Sequence, residues 1–488
     1  MKKSLAVAAA LALLISLASL GMASAEPSAI SPSAAVTWTS GVQVQNLDEI
    51  DSASVTLTFY NQDGTPAASQ SYRIARSSSR TFFPLTDAPS GFNGSLVISS
   101  TTQVRAVSNM MGSGVGSYLA SYNGLQSGAT SVNLPLIMCN NSGFNTYFNV
   151  QNAQSAGGAD AHITISYKPG SNGTAGSETA TIKAGASKTF DQAEGSSTKN
   201  CSTLKDGSGK FIGSAMITSD QPIVAVVMQL NTTNFPAALA YSGFSAGSPT
   251  IALPLVMANN SGYYTGIQVQ NVGSSTTTVT IDYSPNTVGS RNPADEVFQL
   301  APGASKTVIQ NGAPPSNGST VNNWATIGRY VGGATIRNTG GQNLVAIVNQ
   351  TLPSPAKGSA YEGFDPAAAT AKISVPLVMA NNSTYQTGIQ VQNVGSVAAQ
   401  VTIHYGTNTA GTFSPQDEVF TLQPGASKTI IQNGAPPSNG STVNNWGTNR
   451  YIGSATVTAN ASKIVAIVNQ WSSSVAGDQL ATSDAFNY

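Results

Sequence analysis

The chain has 488 residues, and only 9% of them are Asp, Glu, Lys or Arg, well under the roughly 25% of an average globular domain. Acidic and basic residues are equal in number, so the formal net charge is zero. Binding to nucleic acid needs clustered Lys and Arg to displace counterions, and the sequence has no such cluster. The composition therefore predicts a neutral, polar surface and excludes a nucleic-acid partner.

The first 25 residues predict an export signal. Two lysines at positions 2 and 3 precede an apolar stretch over 5–20, and Ala23-Ser24-Ala25 matches the small-residue cleavage pattern. The apolar stretch is short for a bilayer span, and no charged stop-transfer flank follows it. We expect a secreted or cell-surface protein whose mature chain starts at Glu26 and has no transmembrane segment.

After the signal, one pattern of short strands recurs four times. In the third copy Val279, Ile281 and Tyr283 alternate with polar residues, which indicates a half-buried strand. Gly, Pro, Asn and Ser punctuate such strands, and the spacing between copies is that of a domain rather than of a solenoid repeat. Each copy has a strand-like segment that ends in asparagine: Asn46, Asn152, Asn271 and Asn393. The pattern predicts an all-β protein of four tandem β-sandwich domains.

The predicted domains are repeat 1 (26–130), repeat 2 (131–249), repeat 3 (250–371) and repeat 4 (372–488). Their linkers are short and carry apolar anchors, so we expect a semi-rigid string of modules. In repeats 2 to 4 an apolar segment of the type Leu253–Met257 precedes the asparagine strand. Repeat 1 has no recognisable copy of it. An open sheet edge there would invite a strand from another molecule.

Three of these segments resemble a known group of proteins. The Leu-Pro-Leu-Val-Met segment, the Val-Gln-Asn strand and the Pro-Gly-Ala-Ser turn at Pro302–Ser305 resemble immunoglobulin-like adhesion modules of secreted bacterial proteins. The turn is similar to that of CARDB-type (cell-adhesion-related bacterial) domains. The resemblance covers all four repeats and implies immunoglobulin-like sandwiches with an extracellular structural or adhesive role. The partners it implies are other copies of the protein, or surface glycans and proteins.

The cysteines and histidines predict a covalent link and no metal. Cys139 and Cys201 are the only cysteines, and in an oxidising compartment they most simply form one disulfide within repeat 2. The two histidines, His162 and His404, have no second histidine or cysteine at ligand spacing. We therefore expect no metal and no cofactor.

The sequence also lacks a set of residues suited to catalysis. Neighbouring carboxylates occur at Asp295-Glu296 and Asp417-Glu418, but adjacent strand residues point to opposite faces and do not converge by themselves. The two histidines lie in different repeats, so no Ser-His-Asp set is expected within one repeat. We predict that the protein is not an enzyme.

The block Gln310–Trp324 recurs unchanged as Gln432–Trp446, and its Asn-Gly and Pro-Pro pairs predict a long loop. Each tryptophan, with Tyr330 or Tyr451 after it, would either form an aromatic platform for sugar rings or fill the end of a sandwich. Cys201 stands in the equivalent loop of repeat 2, which favours the structural alternative. The leading hypothesis is a non-catalytic structural or adhesive protein, one variant of which assembles into fibres. Carbohydrate binding through the tryptophan loops is the alternative.

Overall fold

The computed structural model describes residues 36–155, 157–196 and 198–488, together with the backbone of 9–15. Nearly all regular structure in these residues is β-strand, with two helices of one turn each, so the all-β prediction is confirmed. The remainder of the predicted export signal and its cleavage site lie outside the described residues. Across the described part of the chain, no helix is long and apolar enough to cross a membrane.

Repeat 1 forms two four-stranded antiparallel sheets, in the orders β1-β6-β3-β4 and β5-β2-β7-β8. The strands are β1 (Ala9–Ile15), β2 (Val36–Asn46), β3 (Ala53–Asn61), β4 (Pro66–Ile74), β5 (Ser79–Phe82), β6 (Gly94–Ser100), β7 (Val104–Gly114) and β8 (Tyr118–Asn123). β1, which belongs to the predicted export signal, precedes the repeat in sequence and pairs with its edge strand β6.

Repeat 2 follows the same plan, but one long strand joins its sheets. β14 has 21 residues; its first part pairs with β9 and β11, and its second part pairs with β10 and β15. The elements are β9 (Ala129–Cys139), β10 (Asn145–Asn152), β11 (Ala161–Asn172), β12 (Gly176–Ile182), β13 (Ser187–Asp191), α1 (Cys201–Leu204), β14 (Phe211–Asn231) and β15 (Ala237–Ser242).

Repeat 3 has the sheet orders β16-β21-β18-β19 and β20-β17-β22-β23. Its elements are β16 (Thr250–Ala258), β17 (Tyr264–Asn271), β18 (Thr277–Tyr283), β19 (Glu296–Leu300), β20 (Ser305–Ile309), α2 (Trp324–Ile327), β21 (Tyr330–Asn338), β22 (Leu344–Leu352) and β23 (Lys357–Glu362). In β18 the residues Val279, Ile281 and Tyr283 are buried and their neighbours are half-exposed, as the alternation predicts.

Repeat 4 repeats these orders as β27-β26-β29-β24-β32 and β28-β25-β30-β31. Its strands are β24 (Lys372–Ala380), β25 (Tyr385–Asn393), β26 (Ala399–Tyr405), β27 (Glu418–Leu422), β28 (Ser427–Ile431), β29 (Tyr451–Ala459), β30 (Ile464–Ser472), β31 (Leu480–Asp484) and β32 (Phe486–Asn487). Apolar residues from both sheets form its core. We call β1, β9, β16 and β24, which come first in their sheets, the entry strands.

The repeats close into a ring, so the predicted semi-rigid string is wrong. The edge strands β8, β15, β23 and β31 pack against one another at the centre, each supplied by a different repeat. Asn123 of repeat 1 donates its Nδ2 to the carbonyl of Asp484 in repeat 4 at 2.9 Å, and the Asp484 amide returns a bond to Asn123 Oδ1 at 3.1 Å. Short linkers predict contact between consecutive repeats, but they carry no information about contact between the first and the last.

Asp478 joins all four repeats at one end of the central strands. Its carboxylate accepts hydrogen bonds from the amides of Ala238 in repeat 2, at 2.8 Å, and Gly358 in repeat 3, at 3.0 Å. Its own amide donates to the carbonyl of Ser117 in repeat 1 at 2.8 Å. A single residue of repeat 4 therefore binds the main chain of each of the other three repeats.

The entry strands also join consecutive repeats, through their prolines. Proline has no amide hydrogen for the ladder, and the pairing register shifts around Pro135 in β9 and Pro254 in β16. The two proline carbonyls accept hydrogen bonds from the next repeat, from Gln268 at 2.9 Å and Gln390 at 3.0 Å. The Leu-Pro-Leu segment of one repeat and the Val-Gln strand of the next are therefore two halves of one contact.

Candidate functional site

The four aromatic side chains of the predicted platform are buried. Trp324, Tyr330, Trp446 and Tyr451 are each 0% exposed. Trp446 meets Tyr451 and Tyr405 edge-on, with ring centroids 5.8 and 5.1 Å away. A platform that stacks on sugar rings needs exposed ring faces, so the structure contradicts this assignment. Each tryptophan instead fills the end of its sandwich core.

A buried glutamate holds the loop in front of each tryptophan. Glu296 accepts hydrogen bonds from Ser319 Oγ, from the Thr320 amide at 2.6 Å and from Asn322 Nδ2 at 2.7 Å. Burial raises the pKa of Glu296, but these hydrogen bonds outweigh it and the net pKa lies below its ordinary value. The block Gln310–Trp324 therefore recurs unchanged in repeat 4 for a structural reason, because its residues bind the buried glutamate.

The same arrangement occurs in repeat 4, where Glu418 binds Ser441 and accepts a 2.7 Å bond from Asn444. Its sequence neighbour Asp417 points elsewhere and lies 2.8 Å from the exposed His404 ring. The two carboxylates of this pair do not converge, as the strand alternation predicts. From the sequence alone the two glutamates were recognisable only as possible acids. The signal for their structural role is that each precedes a copy of the same Ser-Thr-Val-Asn loop.

Cys139 and Cys201 form the predicted disulfide, 62 residues apart in sequence. Cys201 begins α1 in repeat 2, and Trp324 begins α2 in repeat 3. Both residues are fully buried. The covalent bond in repeat 2 thus fixes the loop at the point where repeat 3 uses a large aromatic side chain.

The asparagine that marks each repeat is also part of the framework. Asn46, Asn152, Asn271 and Asn393 are all buried. In repeat 4, Asn393 Nδ2 donates to the carbonyls of Val397 at 2.8 Å and Leu422 at 3.0 Å, and its Oδ1 accepts from the Gly395 amide at 3.0 Å. Each asparagine thereby satisfies main-chain groups where the strands turn, which explains why the residue type recurs.

A concave feature lies where the four central strands end. Asn123, Ser242, Glu362 and Asp484 occupy the last position of β8, β15, β23 and β31, and line a depression of about 320 Å³. Phe244 and other linker residues form part of its wall. We call it the axial depression. In the sequence these positions lie in linkers, after Tyr122, Tyr241 and Tyr361 in repeats 1 to 3, and only ring closure brings them together.

Within residues 36–155, 157–196 and 198–488, no group of three or more His, Cys, Asp or Glu side chains is placed to hold a metal ion. The axial depression has two such side chains, Glu362 and Asp484. Its other polar side chains are the amides of Asn123 and Gln126 and the hydroxyls of Ser242 and Ser245, so a polar ligand there would be recognised by oxygen atoms and amide hydrogens.

Comparison with known proteins finds no matching family model and no matching curated protein. Among solved structures, the chain is similar at 9% identity to one described as "Structure of Glycoside Hydrolase family 32 from Bifidobacterium adolescentis". The alignment covers 92% of this chain and 94% of that chain, with a TM-score of 0.14. A TM-score this low carries no argument about fold or activity.

Proposed function

We propose that this chain is a non-catalytic, extracellular structural or adhesive protein of a bacterial cell surface. Its four repeats would be immunoglobulin-like sandwiches, and repeat 1 of the exported protein would accept a strand from a second copy, which links molecules into fibres or arrays. The neutral composition and the disulfide, which needs an oxidising compartment, support the location. The observation that carries the proposal is the pairing of β1.

β1 fills the position that an entry strand fills in the other repeats. It pairs antiparallel with β6, with Leu11 opposite Ile98, just as β16 pairs with β21 and β24 with β29. The predicted lack of an entry strand in repeat 1 is therefore corrected: residues 9–15 serve as one. They belong to the predicted export signal, however, and cleavage after Ala25 would remove them and leave the outer edge of β6 unpaired.

A buried tyrosine hydroxyl in repeat 1 lacks the hydrogen bond that an entry strand provides in repeats 2 and 3. In repeat 2, Tyr241 donates its hydroxyl to the carbonyl of Leu136 in β9 at 2.7 Å, and in repeat 3 Tyr361 donates to Leu255 in β16 at 2.6 Å. Tyr122, the equivalent residue of repeat 1, has no main-chain partner of this kind among the described residues. A donated strand with the register shift of β9 or β16, which β1 lacks, would supply both a ladder partner for β6 and an acceptor for this buried hydroxyl.

A second copy of the chain is the occupant that fits this edge. Every copy carries three entry strands of the required apolar type, in β9, β16 and β24, and exchange of an identical element between copies is a low-cost route to association. The low charge of the surface adds little repulsion between copies. Strand addition to an open sheet edge gives affinity through main-chain hydrogen bonds.

The test is assembly of purified residues 26–488 at rising concentration, followed by light scattering and electron microscopy. We expect filaments or ordered arrays. A synthetic peptide with the sequence of Ala9–Ile15, flanked by lysines for solubility, should bind repeat 1 and suppress assembly. The control is the same peptide with proline in place of Ala12, which cannot donate to the ladder and should leave assembly unchanged.

Two results would overturn this proposal. Residues 26–488 that stay monomeric at every concentration, and that fail to bind the peptide, would show that the edge accepts no strand. Assembly that persists after deletion of repeat 1 would place the contact between copies elsewhere on the molecule.

A further inference from the structure

Two acidic side chains meet in the axial depression, and no basic side chain in the described part of the chain forms an ion pair with either of them. Glu362 ends β23 in repeat 3, Asp484 ends β31 in repeat 4, and their carboxyl groups lie within hydrogen-bonding reach of each other. Glu362 also accepts a hydrogen bond from the amide of Ser242, at the end of β15 in repeat 2. Three strand ends from three repeats therefore direct oxygen atoms to one place.

Two of these oxygen atoms have no hydrogen-bond partner. Asp484 is only 8% exposed and Ser242 only 7%, yet Asp484 Oδ1 and Ser242 Oγ find no donor or acceptor in the described part of the chain. A buried polar atom left unpaired costs about 1–3 kcal/mol, and more when it is charged. Because both residues line the same depression, a single bound group could satisfy both atoms.

The charges around the pair do not compensate it. Burial, and after it the charge of Glu362, raises the pKa of Asp484 well above its ordinary value. The other titratable groups that sense these carboxylates are Tyr241, beside Glu362, and Tyr361, beside Asp484, and both are neutral. Arg105, on β7, lies over the ring of Phe486 at the wall of the depression, but it donates to Gln126 at 2.7 Å and forms no ion pair with either carboxylate among the described residues.

We propose that the axial depression binds a divalent cation of the calcium type through the carboxylates of Glu362 and Asp484 and the hydroxyl of Ser242. Calcium takes oxygen ligands, prefers carboxylates and accepts irregular geometry completed by carbonyls and water. Zinc and copper favour nitrogen or sulfur ligands, which none of these three residues provides. A search for His and Cys spacing in the sequence does not detect a site of this kind.

The cation would bind the ring together. Its three ligands come from repeats 2, 3 and 4, and Asn123 of repeat 1 bonds the main chain of Asp484 beside them. Binding to the closed ring alone would stabilise that state by mass action. The site lies at the end of the central strands opposite to Asp478. The hydrogen bonds of Asp478 would hold one end of the ring centre, and the cation would hold the other.

The experiment uses residues 26–488, treated with a chelator and dialysed, at pH 7.5. Calorimetric titration with calcium chloride should show about one ion bound, with a dissociation constant on the order of 10⁻⁴–10⁻³ M as in extracellular modules. The melting temperature should rise with calcium. Terbium, a calcium substitute, should show luminescence excited through tyrosine, because Tyr241 and Tyr361 flank the site.

Glu362→Gln and Asp484→Asn keep the side-chain volume and should weaken binding at least tenfold, and Ser242→Ala provides a milder third variant. Asp417→Asn, at an exposed carboxylate, is the matched control and should bind as the unaltered protein does. Absence of calcium binding in the unaltered chain, or equal binding in Asp484→Asn, overturns the proposal. A higher melting temperature in Asp484→Asn without any calcium effect would show that the carboxyls share a proton, which overturns it as well.

Discussion

Gln229 and Asn349 exchange two hydrogen bonds across the boundary between repeats 2 and 3, at 3.0 and 2.7 Å. The same pair of residue types closes two further boundaries, as Gln350 with Asn469 and as Gln470 with Asn109. The last of these joins repeat 4 to repeat 1. Because the contact recurs at equivalent positions of the strands, three of the four boundaries in the ring are alike.

The fourth boundary uses apolar chemistry in place of amides. Met110 of repeat 1 occupies the position of the glutamine, and Met228 of repeat 2 occupies that of the asparagine. Both methionines belong to one apolar cluster that spans the two repeats. At this boundary both the glutamine and the asparagine are replaced by methionine. A paired replacement of this kind is expected of two residues that contact each other.

This relationship predicts a non-additive pair of substitutions. Gln229→Met alone should lower the free energy of unfolding by about 1–3 kcal/mol, because the half-buried amide of Asn349 loses its partner. The double variant Gln229→Met with Asn349→Met should recover most of this loss by reproducing the boundary between repeats 1 and 2. Urea unfolding of the four proteins of the cycle measures the coupling, and additive effects within about 0.5 kcal/mol would contradict the assigned contact.

The buried asparagine that marks each repeat, Asn393 in repeat 4, leads to a second prediction. Asn393→Asp keeps the shape of the side chain but removes the Nδ2 donor to Val397 and Leu422, and we expect stability to fall by at least about 2 kcal/mol. The measurement is denaturant unfolding at pH 7.

Asn460→Asp is the matched control, since the Oδ1 of this exposed residue accepts a bond from the Gln400 amide and an aspartate can do the same. It should change stability little. Equal effects at positions 393 and 460 would mean that the buried asparagine does not anchor the strand ends as described.

Local features of the fold could be predicted from the sequence. The alternation in β18 and the pairing of Cys139 with Cys201 depend on residues within one repeat, where periodicity and chemistry act over short distances. The recurrence of asparagine marked an important position, although its hydrogen bonds to Leu422 and its equivalents required the fold.

The ring and the axial depression could not be predicted, because they depend on contacts between distant parts of the chain. Asp478 bonds Ala238, 240 positions away, and nothing in its own neighbourhood indicates this. The burial of individual side chains could not be predicted from the sequence either. The sequence around Trp446 is compatible with an exposed platform and with a core residue, and the packing of Trp446 against Tyr405 and Tyr451 decides between them.

A third prediction concerns acid. The hydrogen bonds on Glu296 hold its pKa below that of an unfolded chain, so the folded state favours the charged form. Its contribution is complete above the unfolded value of about 4.3 and is lost as pH falls through the lower folded value. Glu296→Gln should therefore reduce stability at pH 7 and weaken its dependence on pH between about 5 and 3, as measured by thermal unfolding across that range.

The control for this prediction is Asp295→Asn, the neighbouring carboxyl on a strand end that does not hold the loop. It should leave the acid dependence unchanged. An unaltered pH profile in Glu296→Gln would mean that the loop is held by the neutral hydrogen bonds alone.

The final prediction distinguishes a core tryptophan from a binding one. Trp446→Ala should lower the free energy of unfolding by about 3–5 kcal/mol, because it empties a buried site between Tyr405 and Tyr451. Trp446→Phe should cost less, since it keeps an aromatic ring and removes an indole Nε1 that has no hydrogen-bond partner among the described residues. Chemical unfolding monitored by near-ultraviolet circular dichroism measures both.

Val443→Ala is the control within the same loop, because Val443 is 44% exposed and its truncation should change stability by less than about 0.5 kcal/mol. Retention on immobilised glycans, measured beside stability, separates the two roles of Trp446. A Trp446→Ala protein that keeps its stability but loses glycan retention would show that the indole acts at the surface. A loss of stability in proportion to the removed volume would identify the indole as part of the core. The repeated sequence Gln432–Trp446 would then be explained by packing of the indole and by the hydrogen bonds to Glu418.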